Sequence, residues 1–197
     1  MNLVYNNPEY VFSPLFRRCP FGSPADSSEA GRKWNYEPKS LTSYTSDPSK
    51  IKIVTKINRV RRGDYAISAK VEWKYAANAL TMVEAIVYRS SSGAKADYKL
   101  LPWSVPRQPF YEYLDNYYKD VVMKIFSHCS NLPQFQGKFQ PPWPSKTYVV
   151  DKCVFDDADG LPEIAPPGFY KIIFNFSGPH QPSWGIVAVL KITPKLF

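Results

Sequence analysis

Residues that bind metals or carry out redox chemistry are scarce in this chain. It has three cysteines, Cys19, Cys129 and Cys153, and two histidines, His128 and His180. No two cysteines stand within four residues of one another, so local spacing offers neither a zinc pair nor a thioredoxin-like pair. His128 beside Cys129 makes no nucleophilic couple, because adjacent residues project in different directions. There is no glycine-rich phosphate loop, nucleophile elbow or two-histidine metal motif. Asp156-Asp157-Ala158-Asp159-Gly160 has the look of a calcium loop. Aligning Gly160 with the turn glycine, however, puts Phe155 at the first ligand position, and no glutamate stands six residues beyond, so it reads as a plain turn. No enzyme, metal or cofactor is expected.

Long apolar runs are also missing: nothing approaches the ~18 residues that span a bilayer. The opening Met1-Asn2-Leu3-Val4 is too short for a signal-peptide core, so either an export signal is missing from this sequence or the protein stays inside the cell. Nine glycines against 19 prolines imply stiff, extended connections in place of flexible linkers. Acidic residues are the minority charge, and the net +8 favours acidic partners. The basic residues are scattered, though, and the one dense group, Arg59, Arg61 and Arg62, sits where a hairpin turn belongs. Nucleic acid is therefore not expected as a partner; anionic lipid headgroups remain open.

What the chain has in quantity is aromatic residues, 16% of the total, within a 44% hydrophobic composition that suits a buried core. Residues 1–50 carry six prolines among polar residues and no sustained period, a proline-rich segment whose aromatics (Tyr5, Tyr10, Phe12, Phe16, Trp34, Tyr36) argue that parts of it pack. Residues 51–197 form the main domain. Ile51, Ile53, Thr55 and Ile57 alternate with polar residues, Arg61-Arg62-Gly63-Asp64 turns the chain, and Tyr65, Ile67, Ala69, Val71 and Trp73 continue the period on a partner strand. A third strand covers 81–89. Between Pro109 and His128 the stripe Phe110, Tyr113, Leu114, Tyr117, Val121 and Ile125 recurs at helical spacing, giving one amphipathic helix over about 109–128. A strand from Thr147 to Phe155 follows. Pro167-Gly168 then opens a closing hairpin. Tyr170, Ile172, Phe174 and Phe176 share one face of its first strand, and Trp184, Ile186, Ala188 and Leu190 one face of its second, which is apolar on both sides and reads as central.

Cys129 follows the helix and Cys153 lies in the next strand. A bridge between them would close a loop of about 25 residues and add roughly 3.5 kcal/mol in the chain-entropy model. Free thiols are the alternative; with the bridge formed Cys19 is left over, to stay free, pair with another chain or compete for the bridge. Asn175-Phe176-Ser177 is an N-glycosylation sequon with Asn175 directed away from the aromatic face. The inward aromatics fit two arrangements, a solid sandwich core or sheets that splay into a cup around an apolar ligand.

Gly63-Asp64-Tyr65 opening a strand, the helix from Phe110 to Phe126, Cys129-Ser130-Asn131 after it, the strand with Cys153, and Pro167-Gly168-Phe169-Tyr170 opening the last hairpin recur together in one superfamily. In these features residues 62–197 resemble the insect branch of the ML-domain lipid-recognition superfamily, secreted ganglioside-activator-like proteins that include chemosensory ones. The resemblance implies a mainly β fold, an immunoglobulin-like β-sandwich opened into a cup with one helix. It also implies export, disulfides and non-catalytic binding of a lipid or other hydrophobic small molecule. Where members of that superfamily usually carry a cysteine before the helix, this chain has Leu100-Leu101-Pro102-Trp103. On this reading Tyr65, Trp73, Phe174, Phe176 and Trp184 line the cavity, Trp103 and Trp143 stand in loops near its mouth, Cys129 pairs with Cys153, and Asn175 carries a glycan. A receptor or other protein is a further expected partner. The contrasting expectation is a protein-docking module with a filled core and no cavity.

Overall fold

A computed structural model describes residues 33–155 and 164–195. The chain divides into two units, residues 1–30 and 31–197, and everything described belongs to the second. Cys19, most of the proline-rich segment and the Asp156–Gly160 turn lie outside the described residues.

The described fold is mainly β, two antiparallel sheets and one helix with no closed barrel, as the sequence leads one to expect. Its strands are β1 (Trp34–Thr45), β2 (Ile51–Arg61), β3 (Asp64–Trp73), β4 (Met82–Ser90), β5 (Lys99–Leu100), β6 (Val105–Pro109), β7 (Thr147–Cys153), β8 (Gly168–Ser177) and β9 (Trp184–Pro194). The larger sheet runs β1-β9-β8-β4-β5 with β6 also on β4, and the smaller runs β2-β3-β7. Both expected hairpins form: β2 pairs β3 from Ile51↔Trp73 to Arg61↔Asp64, and β8 pairs β9 from Gly168↔Ile192 to Phe176↔Trp184. β9 is central, flanked by β1 and β8, as its apolar residues on both faces lead one to expect.

Strand structure begins before residue 50. Trp34–Thr45, assigned from sequence to the proline-rich segment, is a full strand paired along its length with β9. Two features hide it. Pro38 cannot donate to a ladder, a defect that an edge strand tolerates. The register also shifts between Pro38 and Ser40, so the inward residues change parity, from Trp34 and Tyr36 to Leu41 and Ser43.

Helix α1 (residues 110–126) begins with Phe110–Tyr113, widens into a π-helical centre at Leu114–Val122, and ends with Met123–Phe126. The Met123 N–H donates to the Tyr118 carbonyl, five residues back. That wide turn moves the inward stripe by one residue. Phe110, Tyr113 and Leu114 are buried as the period predicts, but the stripe then continues through Tyr118, Val122 and Phe126 in place of Tyr117, Val121 and Ile125.

The helix ties the two sheets together. At its start the Phe110 N–H donates to the Thr81 carbonyl beside β4 (2.7 Å). Past its end, the Asp151 N–H on β7 donates to the Cys129 carbonyl (2.8 Å), the Val149 N–H donates to Asn131 Oδ1 (2.7 Å), and Cys129 is disulfide-bonded to Cys153. A bulge in β7, where the register against β3 jumps between Ile67 and Ala69 and Lys152 takes a φ of 47°, turns the fully buried Cys153 inward to meet Cys129. The β1–β2 connection closes the opposite side of the sandwich. No described helix is long and apolar enough to cross a membrane.

Candidate functional site

The sheets do not close on each other. Between them lies a chamber of about 340 Å³, within the ~300–1,000 Å³ range of small-molecule sites and about twice the ~150 Å³ of an apolar cavity that stays dry and takes benzene. Ile67, Ala69, Val71 and Trp73 line it from β3, Tyr148 and Val150 from β7, and Ile172, Phe174 and Phe176 from β8. Trp184, Ile186, Ala188 and Leu190 line it from β9, and Phe110, Tyr113, Tyr118, Val122 and Phe126 from α1. Among the described residues, no carboxylate, histidine, lysine or arginine lines it.

Polar atoms on lining residues are mostly turned away into protein hydrogen bonds. Thr55 donates through Oγ1 to the Leu41 carbonyl (2.9 Å), Tyr118 through its hydroxyl to the Pro133 carbonyl (2.7 Å), and Tyr148 through its hydroxyl to the Pro144 carbonyl. The Trp73 indole donates to the Tyr75 carbonyl (2.9 Å) and the Trp184 indole to the Tyr75 hydroxyl (2.8 Å). Trp143 Nε1 is buried without a hydrogen-bond partner. Burial pushes the Tyr75 hydroxyl up to about 12, against the smaller opposing effect of the Trp184 hydrogen bond. It raises Tyr113, Tyr118 and Tyr148 further still. Every lining phenol is therefore neutral at ordinary pH, and the chamber offers a ligand hydrocarbon contact without charge.

The two ends of the chamber differ. At one end Trp73 meets Phe110, Trp143, Tyr148, Phe176 and Trp184 with ring centroids 5.2 to 6.3 Å apart, and all six rings are buried. Phe176 and Trp184, directly opposed across β8 and β9, stack at 4.1 Å. This aromatic end is sealed. Toward the other end, Ile67, Phe126, Val150, Phe155 and Leu190 are only part-buried. Tyr36 spans the sheets there: its hydroxyl donates to the Tyr65 carbonyl (2.9 Å) and accepts the Phe155 N–H (3.0 Å).

Of the residues expected to line a cavity, Trp73, Phe174, Phe176 and Trp184 do so. Tyr65 shares their face of β3 but lies beyond the chamber's end, on a separate polar cleft of about 270 Å³ with Tyr36, Arg61 and Asp64. Trp143 is in a loop as expected, but it belongs to the sealed end and not the mouth, because packing against Trp73, Phe110 and Tyr118 removes its indole from water. Trp103 is half exposed in the loop between β5 and β6 and does not touch the chamber. Sequence reasoning missed the helix contribution of Tyr118, Val122 and Phe126, hidden by the wide turn, and Leu41, hidden by the β1 bulge.

Asn175 lies on the outer face of β8, as its parity predicts. Its amide donates to Glu84 Oε1 on β4 (2.7 Å) and its carbonyl accepts from the Tyr44 hydroxyl on β1. The Cys129–Cys153 bridge forms, so Cys129 has no thiol to offer beside His128. Among the described residues no group of three or more His, Cys, Asp or Glu side chains could hold a metal ion.

A model of a family described as a protein of unknown function (DUF1091) matches residues 83–172, from β4 through the helix to the middle of β8. No curated protein matches the chain.

Proposed function

We propose that the protein binds a lipid or other hydrophobic small molecule in the chamber without chemical change, as a carrier, presenter or chemosensory binding protein. One observation carries this reading: an apolar chamber between the sheets with no charged residue among its described lining, whose lining hydroxyls are largely committed to protein carbonyls. Such a space gives water little to bond to, and it rewards hydrocarbon by about 0.8 kcal/mol per methylene buried. The resemblance to the ML-domain lipid-recognition superfamily points the same way. The Cys129–Cys153 disulfide is the kind of bond that persists in an oxidising compartment, which supports the proposal that the protein is secreted. A filled-core docking module would leave this chamber unexplained.

The test is a chamber-filling variant. Ala188 lies on the lining face of the central strand β9, so Ala188→Phe places a ring in the void. A fluorescent fatty-acid probe should bind the wild type and be lost by at least about tenfold in Ala188→Phe, with the thermal midpoint little changed. No probe binding to the wild type would contradict the proposal.

A further inference from the structure

The inner face of the β2–β3 hairpin changes chemistry along its length. Its cross-strand pairs run Ile51 with Trp73, Ile53 with Val71, Thr55 with Ala69, Ile57 with Ile67, and finally Arg59 with Tyr65. The first pair is buried in the sealed aromatic end. Arg59 is the first charged residue on that face, it is exposed, and it carries no ion pair among the described residues. It stands one pair beyond Ile67, the last β3 residue to line the chamber.

The polar cleft lies at this same end. Phe155 lines both it and the chamber, so one residue stands between an apolar space and a cleft lined by Arg61, Asp64 and Tyr65. Arg61 is paired there with Asp64, and Arg62 beside it is exposed. From Trp73 to Ile67 the lining stretch of β3 covers six residue steps, about 20 Å at ~3.3 Å per step. A volume near the lower bound for ligand sites, stretched over that length, is narrow. It suits one extended chain better than a fused-ring body.

We infer that the ligand is a single-chain amphiphile with an anionic oxygen head, such as a carboxylate. Its chain enters tail first toward Trp73, and its head stays at the rim beside Arg59, with Arg61 able to exchange its Asp64 partner for it. This rests on the chamber being a ligand site, and it adds polarity, orientation and head-group charge. A guanidinium suits the role because its fork of donors matches a carboxylate and stays charged at any ordinary pH.

The experiment compares dodecanoate with dodecanol on the full chain, followed by tryptophan fluorescence at low salt, for the wild type, Arg59→Ala and Arg59→Lys. The acid should bind the wild type at least about fivefold tighter than the alcohol, the scale of one partly exposed charge pair. Arg59→Ala should remove most of that preference and leave dodecanol affinity unchanged, Arg59→Lys should keep part of it, and about 1 M salt should erase it. Equal wild-type affinities for acid and alcohol would overturn the head-group assignment while leaving the chamber reading standing. Binding of neither would overturn both.

Discussion

Trp73 is the residue on which the sealed end depends, since six aromatic rings surround it with centroids 5.1 to 6.3 Å away. Cutting it back to alanine removes that packing and leaves a void, so Trp73→Ala should lose about 3–5 kcal/mol in urea unfolding. The variant should also bind any apolar probe more weakly where it remains folded. Trp103→Ala is the contrast. Its ring is half exposed and away from the chamber, so stability should stay within about 0.5 kcal/mol and binding should not change. The tyrosines give a pH signature. Tyr75, Tyr113, Tyr118 and Tyr148 are all held above the ordinary phenol value by burial. Below about pH 10 they are protonated whether the chain is folded or not. Above it the unfolded chain releases protons that the folded chain keeps, and stability falls as pH rises. The urea midpoint should therefore decline steeply from pH 10 toward 12; a midpoint flat through that window would contradict the buried placement of these phenols.

At the scale of elements, the disulfide and the wide-turned helix decide how the cup is braced. The Cys129–Cys153 bridge fastens the segment after α1 to β7, across a sequence separation of 24 residues. Replacing both cysteines by serine should cost about 3.5 kcal/mol by loop entropy. It should also loosen the helix end and raise amide exchange in residues 122–131 before exchange rises in β8 and β9. The two hairpins were legible from sequence because their strands keep one parity over most of their length, as Ile67, Val71 and Trp73 do on β3, and the one register shift, between Arg59 and Arg61, falls at the turn. β1 was not legible, because the bulge after Pro38 swaps its faces midway. The helix was legible in extent and type, but its inward stripe was readable only as far as Leu114. An i→i+5 turn advances the face by one residue, and no residue type in Leu114–Val122 announces it. The mouth was the least legible part. Trp143 and Trp103 are both loop tryptophans beside prolines, yet one is buried at the sealed end and the other lies outside, a difference made by contacts distant in sequence.

For the whole molecule, periodicity reports which side chains face inward and says nothing of how far apart the two sheets stand. A filled core and a cup therefore share one sequence pattern. On one side α1 and the segment after it link Thr81, beside β4, to β7, and on the other the β1–β2 connection joins the sheets. A molecule built this way should respond as a unit to an apolar ligand, because only the folded state has the chamber. At a free ligand concentration 100 times the dissociation constant the folded state gains about 2.7 kcal/mol, which should appear as a raised thermal midpoint. The most direct measurement is native mass spectrometry of the protein purified from a secretory expression host, followed by solvent extraction and identification of whatever it carried. A stoichiometric lipid or other apolar molecule, lost from Ala188→Phe, is the predicted result. A clean apo mass, together with no displacement of a fluorescent fatty-acid probe, would contradict the chamber as a ligand site.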